Sequence, residues 1–186
     1  MPADAWPNYS LGNLKNARVA NRLSTSRVNA MNMILMLLQG TPLTYYGEEI
    51  GMVNGNGNKP DTPMQWSDVA QAEDTENSAL KIYREMTNLR EDEAILFGDT
   101  NMFVQDNTFV LSRVKKGNPG YLLISNFDIQ SATTLNLKAL PNIADRGIVT
   151  IGDQTSDLTV DSNVDLSDIT IPPNASILVT FVPKFA

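Results

Sequence analysis

Asn8-Tyr9-Ser10-Leu11-Gly12-Asn13-Leu14-Lys15-Asn16-Ala17-Arg18-Val19 is the stretch on which the reading of this chain turns. Tyr9-Ser10-Leu11 is a short strand candidate that runs into a Gly12-Asn13 turn. Downstream, Ser24, Thr25 or Ser26 supplies a cap for a helix over Arg27 to Leu38. Val28, Met31, Leu35 and Leu38 share one helical stripe, while Met33, Ile34, Met36 and Leu37 fill the other faces. Such a helix is buried on several sides. Gly40 stops it, Pro42 follows, and Leu43-Thr44-Tyr45-Tyr46 reads as a buried strand of the parallel kind. Strand, helix, strand is the rhythm of an α/β fold.

Outward from that unit, Gly51 to Asp61 is a loop of Gly, Asn and Pro. A second helix starts near Glu76-Asn77, with Ala79, Ile82, Tyr83, Met86 and Leu89 on one face. From about Phe97 the apolar period changes from 3.6 to 2. Thr108 to Val114, Tyr121 to Ser125, Thr133 to Leu137, Ile148 to Ile151, Leu158 to Val160, Ile169 to Ile171 and Ser176 to Phe181 read as successive strands. Short strands at this spacing predict an antiparallel β-sandwich, and the domain boundary falls at 96/97. The first half raises a physical problem. Two strands and two helices cannot close a parallel barrel, which takes eight such units, and alone they leave a bare strand edge.

Composition narrows the chemistry. The 186 residues carry a net charge of −7 with dispersed basic residues, which argues against a nucleic-acid surface. No Cys means no disulfide, thiolate or Cys-based zinc site, and no His removes the usual base near neutral pH. The N-terminus has no signal-peptide pattern. The apolar-rich run from Ala30 to Leu38 falls short of the roughly 20 residues that span a bilayer, so a soluble chain is expected. Asn8-Tyr9-Ser10 and Asn174-Ala175-Ser176 are glycosylation sequons, and Asn8 lies where a strand should enter a barrel.

Three stretches carry a resemblance: the opening one, Gly40-Thr41-Pro42-Leu43-Thr44-Tyr45-Tyr46-Gly47-Glu48-Glu49-Ile50-Gly51-Met52, and Thr62-Pro63-Met64-Gln65-Trp66. Together they resemble the C-terminal part of the α-amylase superfamily of glycoside hydrolases, in its maltase-like branch. The resemblance implies that residues 1–96 are the last two βα units of a (β/α)8 TIM barrel and that 97–186 form the C-terminal antiparallel β-sandwich. The rest of the barrel would then precede this chain. In that branch the first stretch reads Gly-Asn-His-Asp-Asn-x-Arg-Val, so Leu14 stands at the His position and Lys15 at the Asp position. The nucleophilic Asp and the acid/base Glu would lie on earlier strands.

On that pattern Asn13, Leu14, Lys15, Arg18, Glu48, Glu49 and Trp66 mark a vestigial cleft with no catalytic residue, no cofactor and no metal. An ammonium at position 15 would repel the positive charge that develops at the anomeric carbon. Glu48 and Glu49, if they continue the strand, point to opposite faces and cannot flank one bond. Arg18 is structural or pairs with a carboxylate of the cleft. Trp66 is expected as a packed anchor, and residues 67–74 as a shortened link into the next helix. Within the superfamily, the catalytically silent heavy chains of heteromeric amino-acid transporters are similar in these respects. That likeness implies an extracellular domain that escorts a multi-pass transporter light chain. A maltase-like α-glucosidase, degenerate or fragmentary, is the alternative. A lectin-like or storage protein using the sandwich is a third.

Overall fold

The computed structural model describes residues 5–75, 77–152 and 158–185, and the chain divides into two compact units, Met1–Thr87 and Asn88–Ala186. In the first unit, β1 (Asn8–Ser10) pairs in parallel with β2 (Thr41–Leu43), Tyr9 standing opposite Pro42. Between them run α1 (Val19–Leu23), a 3₁₀ turn over Thr25–Arg27, and α2 (Val28–Leu37). Met33 and Leu37 of α2 are fully buried, with Leu35 and Met36 close behind, as an all-round apolar helix requires. Buried Asn32 is tolerated among them because its amide donates to the Glu48 carbonyl at 3.1 Å. Gly40 ends the segment with φ +142°, where a Cβ would lie 2.5 Å from the Pro7 carbonyl oxygen. Among the described residues, neither strand of this pair has a second neighbour.

Several local expectations shift. The strand expected over 43–46 forms instead at Thr41–Leu43, because Gly47 turns left-handed (φ +82°) and starts a 3₁₀ turn over Glu48–Ile50. The N-cap of α2 is Arg27, with no side-chain cap, so Ser24 to Ser26 do not close this helix. Residues 67–74, expected as a link, are themselves helical: α3 (Trp66–Asp74) buries none of its side chains. α4 (Ala79–Leu89) begins after the expected Glu76-Asn77, Glu76 being outside the described residues.

The second unit opens with α5 (Glu93–Phe97), capped by Asp92, whose Oδ1 accepts the Ala94 N–H at 2.7 Å. A six-stranded antiparallel sheet follows, in the order β3 (Asp99–Gln105), β4 (Thr108–Val114), β5 (Gly120–Asn126), β10 (Ser176–Phe181), β7 (Arg146–Gly152), β8 (Asn163–Asp165). β6 (Thr133–Leu135) and β9 (Ile169–Ile171) form a second, two-stranded sheet. One apolar core joins the layers, from Val110, Ile124 and Ile177 to Leu135 and Ile171. Buried Asn126 stitches the corner, donating to the carbonyls of Ser131, Ile171 and Pro172 at 2.8, 3.2 and 3.1 Å. Leu158 to Val160, expected as a strand, is a bend and turn, and the pairing starts at Asn163 instead. β3 was hidden in the sequence because Met102 and Val104 alternate outward into solvent at this edge.

Arg113 is the costly group in this unit. Fully buried on β4, it donates from Nε to the Ala94 carbonyl at 3.3 Å and from its terminal nitrogens to the Ile95 carbonyl and the Thr100 hydroxyl. Burial, then the Arg90 charge, lowers its pKa to about 10, and it stays protonated at neutral pH. Arg113→Met leaves the Ile95 carbonyl of α5 and the Thr100 hydroxyl without their Arg113 donor and should cost about 2–4 kcal/mol in a urea titration. Burial, reinforced by Asp92 at 3.1 Å, also pushes the Tyr121 phenol up to about 12. Because the folded value lies above the unfolded value near 10, this contribution is intact below pH 10 and is lost as pH rises toward 12. In alkaline unfolding, Tyr121→Phe should flatten the fall in stability over that window. An unchanged slope would place the titrating group elsewhere.

Candidate functional site

The segment after β1 is organised by Asn13, whose Oδ1 accepts the N–H groups of Lys15 and Asn16 at 2.9 and 3.0 Å. Such a side-chain turn forms wherever Asn can close its own backbone two or three residues on. Leu14 and Lys15 therefore occupy the tip of a fixed turn, both exposed, Leu14 at 63%. Among the described residues, no carboxylate forms an ion pair with Lys15.

Beneath the turn lies Arg18, 1% exposed. Its Nε donates to the Pro60 carbonyl at 3.1 Å and its Nη1 to the Tyr46 carbonyl at 2.7 Å, and its backbone N–H reaches Asn54 Oδ1 at 2.9 Å. The guanidinium carbon lies 4.9 and 4.7 Å from the ring centres of Tyr45 and Tyr46, within cation–π range. Asn54 in turn donates its backbone N–H to Asn21 Oδ1 and its side-chain amide to the Asn58 carbonyl at 3.1 Å. The Gly- and Asn-rich loop is thus folded onto a buried cation. Among the described residues Arg18 is held by carbonyls and aromatic faces, and its Nη2 has no hydrogen-bond partner.

Glu48 is the second buried charge of the cluster, 2% exposed, with Oε2 accepting the Tyr45 N–H at 3.1 Å and Oε1 unpartnered. Burial raises its pKa, opposed by the Tyr45 hydrogen bond and the charges of Arg18 and Arg22. A Cβ on Gly12 would come within 2.1 Å of Oε1, so Gly12 is what lets Glu48 lie against the first turn. The expectation that Glu48 and Glu49 continue a strand is corrected: they sit in the 3₁₀ turn after Gly47. They still diverge, Glu48 inward and Glu49 half-buried at the surface. Trp66 does not pack as an anchor: it opens α3 at 73% exposure.

The sequence-marked residues thus separate. Arg18 and Glu48 are the buried charges beneath the turn, while Asn13, which holds the turn, and Leu14, Lys15 and Trp66 are exposed. Tyr45, Tyr46 and Asn54 complete the cluster around Arg18. Sequence reading took the tyrosines for strand residues and Asn54 for loop, and only the adjacent Gly47 hinted otherwise. Of the two sequons, Asn8 is exposed on β1, and Asn174 is half-buried at φ +54° with its N–H on the Asp128 carbonyl at 2.7 Å. Among the described residues no three His, Cys, Asp or Glu side chains come together as metal ligands, and no helix is long and apolar enough to cross a membrane.

Comparison with known proteins places this geometry. Residues 1–68 match the family model for the alpha amylase catalytic domain. The amino acid transporter heavy chain SLC3A1 of Rattus norvegicus is 32% identical over 176 residues, covering 74% of this chain and 26% of that protein. Maltase 1 of Drosophila virilis is 29% identical over 175 residues, covering 68% of this chain and 28% of the maltase. The chain spans about a quarter of the length of these relatives. The crystal structure of Bacillus licheniformis trehalose-6-phosphate hydrolase superposes with a TM-score of 0.74 at 18% identity, covering 95% of this chain and 43% of the hydrolase. A β-α-β unit with parallel pairing, then an antiparallel β-domain, both fit the C-terminal part of a (β/α)8 enzyme of this kind. This chain belongs to the α-amylase superfamily, of which it carries the end of the barrel and the β-sandwich that follows.

Proposed function

We propose that this chain is the C-terminal part of a non-catalytic, maltase-like ectodomain that serves as the heavy-chain subunit of an amino-acid transporter. The observation that carries the reading is Lys15 at the tip of the Asn13 turn, with Leu14 beside it. In the family pattern this tip offers a carboxylate and an imidazole to the sugar. A glycosidase lowers its barrier by placing negative charge where the oxocarbenium-like cation forms. An ammonium there raises the barrier, and Leu14 has no donor for a hydroxyl. Glu48 cannot stand in, since its carboxylate lies on the inner side of the turn against Gly12. The 32% identity with the rat transporter heavy chain supports the assignment of the partner, a multi-pass light chain. The remainder of the barrel, N-terminal to these residues, would supply the missing neighbours of β1 and β2. The extracellular face of the membrane is the compartment this reading requires. The 29% identity with Maltase 1 supports a second reading, a degenerate or fragmentary α-glucosidase.

The whole protein should not hydrolyse 4-nitrophenyl α-glucoside above a buffer blank. Turnover that survives Lys15→Ala would favour the glucosidase reading. Purified from its own membranes in mild detergent, the protein should bring a multi-pass partner with it. Recovery as a free, partnerless species would remove the transporter assignment while leaving the absence of hydrolysis intact.

A further inference from the structure

The second unit contains a cleft of about 670 Å³ that no step above uses. That size lies within the roughly 300–1,000 Å³ typical of small-ligand sites. The β4–β5 turn (residues 117–119) lines it on one part, Ile148 and Thr180 on another, and the tail from Val182 to Phe185 on a third. The walls are specified by close packing. A Cβ on Gly120 would lie 2.5 Å from the Phe181 ring, and one on Gly147 would lie 2.3 Å from Val179 Cγ1, so both glycines let the strands close around Phe181. The tail is tied down by the Lys184 N–H on the Asn142 carbonyl at 3.0 Å and by Lys184 Nζ on Asp145 at 2.6 Å.

The lining is apolar for most of its extent, with Phe181, Phe185, Ile148, Val182 and two prolines. Its polar members are donor-rich: the Arg146 guanidinium and the amides of Asn118 and Asn163. No Asp or Glu is among the described lining residues, although the chain as a whole has 21 acidic residues against 14 basic. Arg146 stands opposite Asp165 in the β7–β8 register, and Asp165 Oδ1 accepts the Ser167 hydroxyl and N–H at 2.5 and 2.8 Å. Those hydrogen bonds lower the Asp165 pKa, and the Arg146 charge helps. Among the described residues Arg146 forms no ion pair. An exposed cationic donor that forms no direct ion pair among the described residues, on a greasy cleft in an acidic protein, complements a ligand with the opposite arrangement.

We propose that this cleft binds an amphipathic monocarboxylate, a medium-chain fatty acid, with its alkyl chain along Phe181, Ile148 and Val182 and its carboxylate on Arg146. The carboxylate takes charge-assisted hydrogen bonds from the guanidinium, and the amides of Asn118 and Asn163 offer further donors. The chain buries apolar area against the aromatic and aliphatic lining.

Octanoate and 1-octanol, titrated into the 186-residue chain and followed by 15N–1H NMR, test this. Octanoate should shift the amides of Gly147, Phe181 and Phe185 in a saturable way. Exposed Arg146 can be replaced without disturbing a core, and Arg146→Gln should weaken octanoate about tenfold while leaving octanol unchanged. Val182→Asp, which sets an anion in the lining of the cleft, should weaken octanoate independently. The proposal is overturned if octanoate does not saturate, if the acid and the alcohol bind alike and ignore Arg146→Gln, or if maltose shifts these amides and octanoate does not.

Discussion

A buried guanidinium needs partners, and in the first unit that requirement organises everything around it. Taking the Arg18 charge out of water is tolerable only if its donors find acceptors and its face finds π density. The Tyr46 and Pro60 carbonyls and the rings of Tyr45 and Tyr46 meet most of that demand, with Nη2 left without a hydrogen-bond partner among the described residues. Meeting it pulls the backbone out of the strand at Thr44, turns it at Gly47 and brings the Asn-rich loop back onto α1. The position of the Asn13 turn above the cluster follows from the same packing. The device recurs in the second unit, where Arg113 is sealed by the carbonyls of Ala94 and Ile95 and by Thr100, and so fixes α5 to β4. In both cases a cation is neutralised by main-chain dipoles, which makes it part of the backbone scaffold.

The two halves are stabilised in different ways. The second unit has a continuous apolar core and an Asn126 node that ties its corner together. The first has a largely buried α2 but only two short parallel strands, whose outer edges carry backbone groups without a neighbouring strand among the described residues. A parallel strand pair is stable only when covered and continued. The superposition on a complete (β/α)8 hydrolase supplies the physical sense of that arrangement, because the remaining strands of such a barrel would close both edges.

The proposed loss of chemistry fits a site whose scaffold and tip are held by different residues. The residues that hold the turn, Gly12, Asn13 and Arg18, serve folding and are present. The two residues at its tip contribute no packing, and Leu14 and Lys15 point outward. Substitution there costs the fold little, whereas replacing Gly12 would collide with Glu48.

Periodicity determined a good deal. The all-round apolar run of α2, the change from a 3.6 to a 2 period near Phe97, and the strands at 108–114, 121–125 and 176–181 were legible because burial selects side chains one residue at a time. The spacing of Gly12, Asn13 and Arg18 likewise marked the turn after β1, and residues 14 and 15 are where the chain departs from the family pattern. What the tertiary structure alone decided are the places where a distant partner overrides local pattern. Tyr45 and Tyr46 leave the strand to stack on Arg18, Glu48 turns inward because Gly12 makes room, Trp66 stays in solvent, and Leu158 to Val160 yields its pairing to Asn163. The charge of Arg146 over an apolar cleft is also invisible in one dimension, since β7, β10, the 117–119 turn and the tail meet only in space. Local sequence encodes the energy of each residue against water; contacts between residues tens of positions apart set which of those preferences prevails.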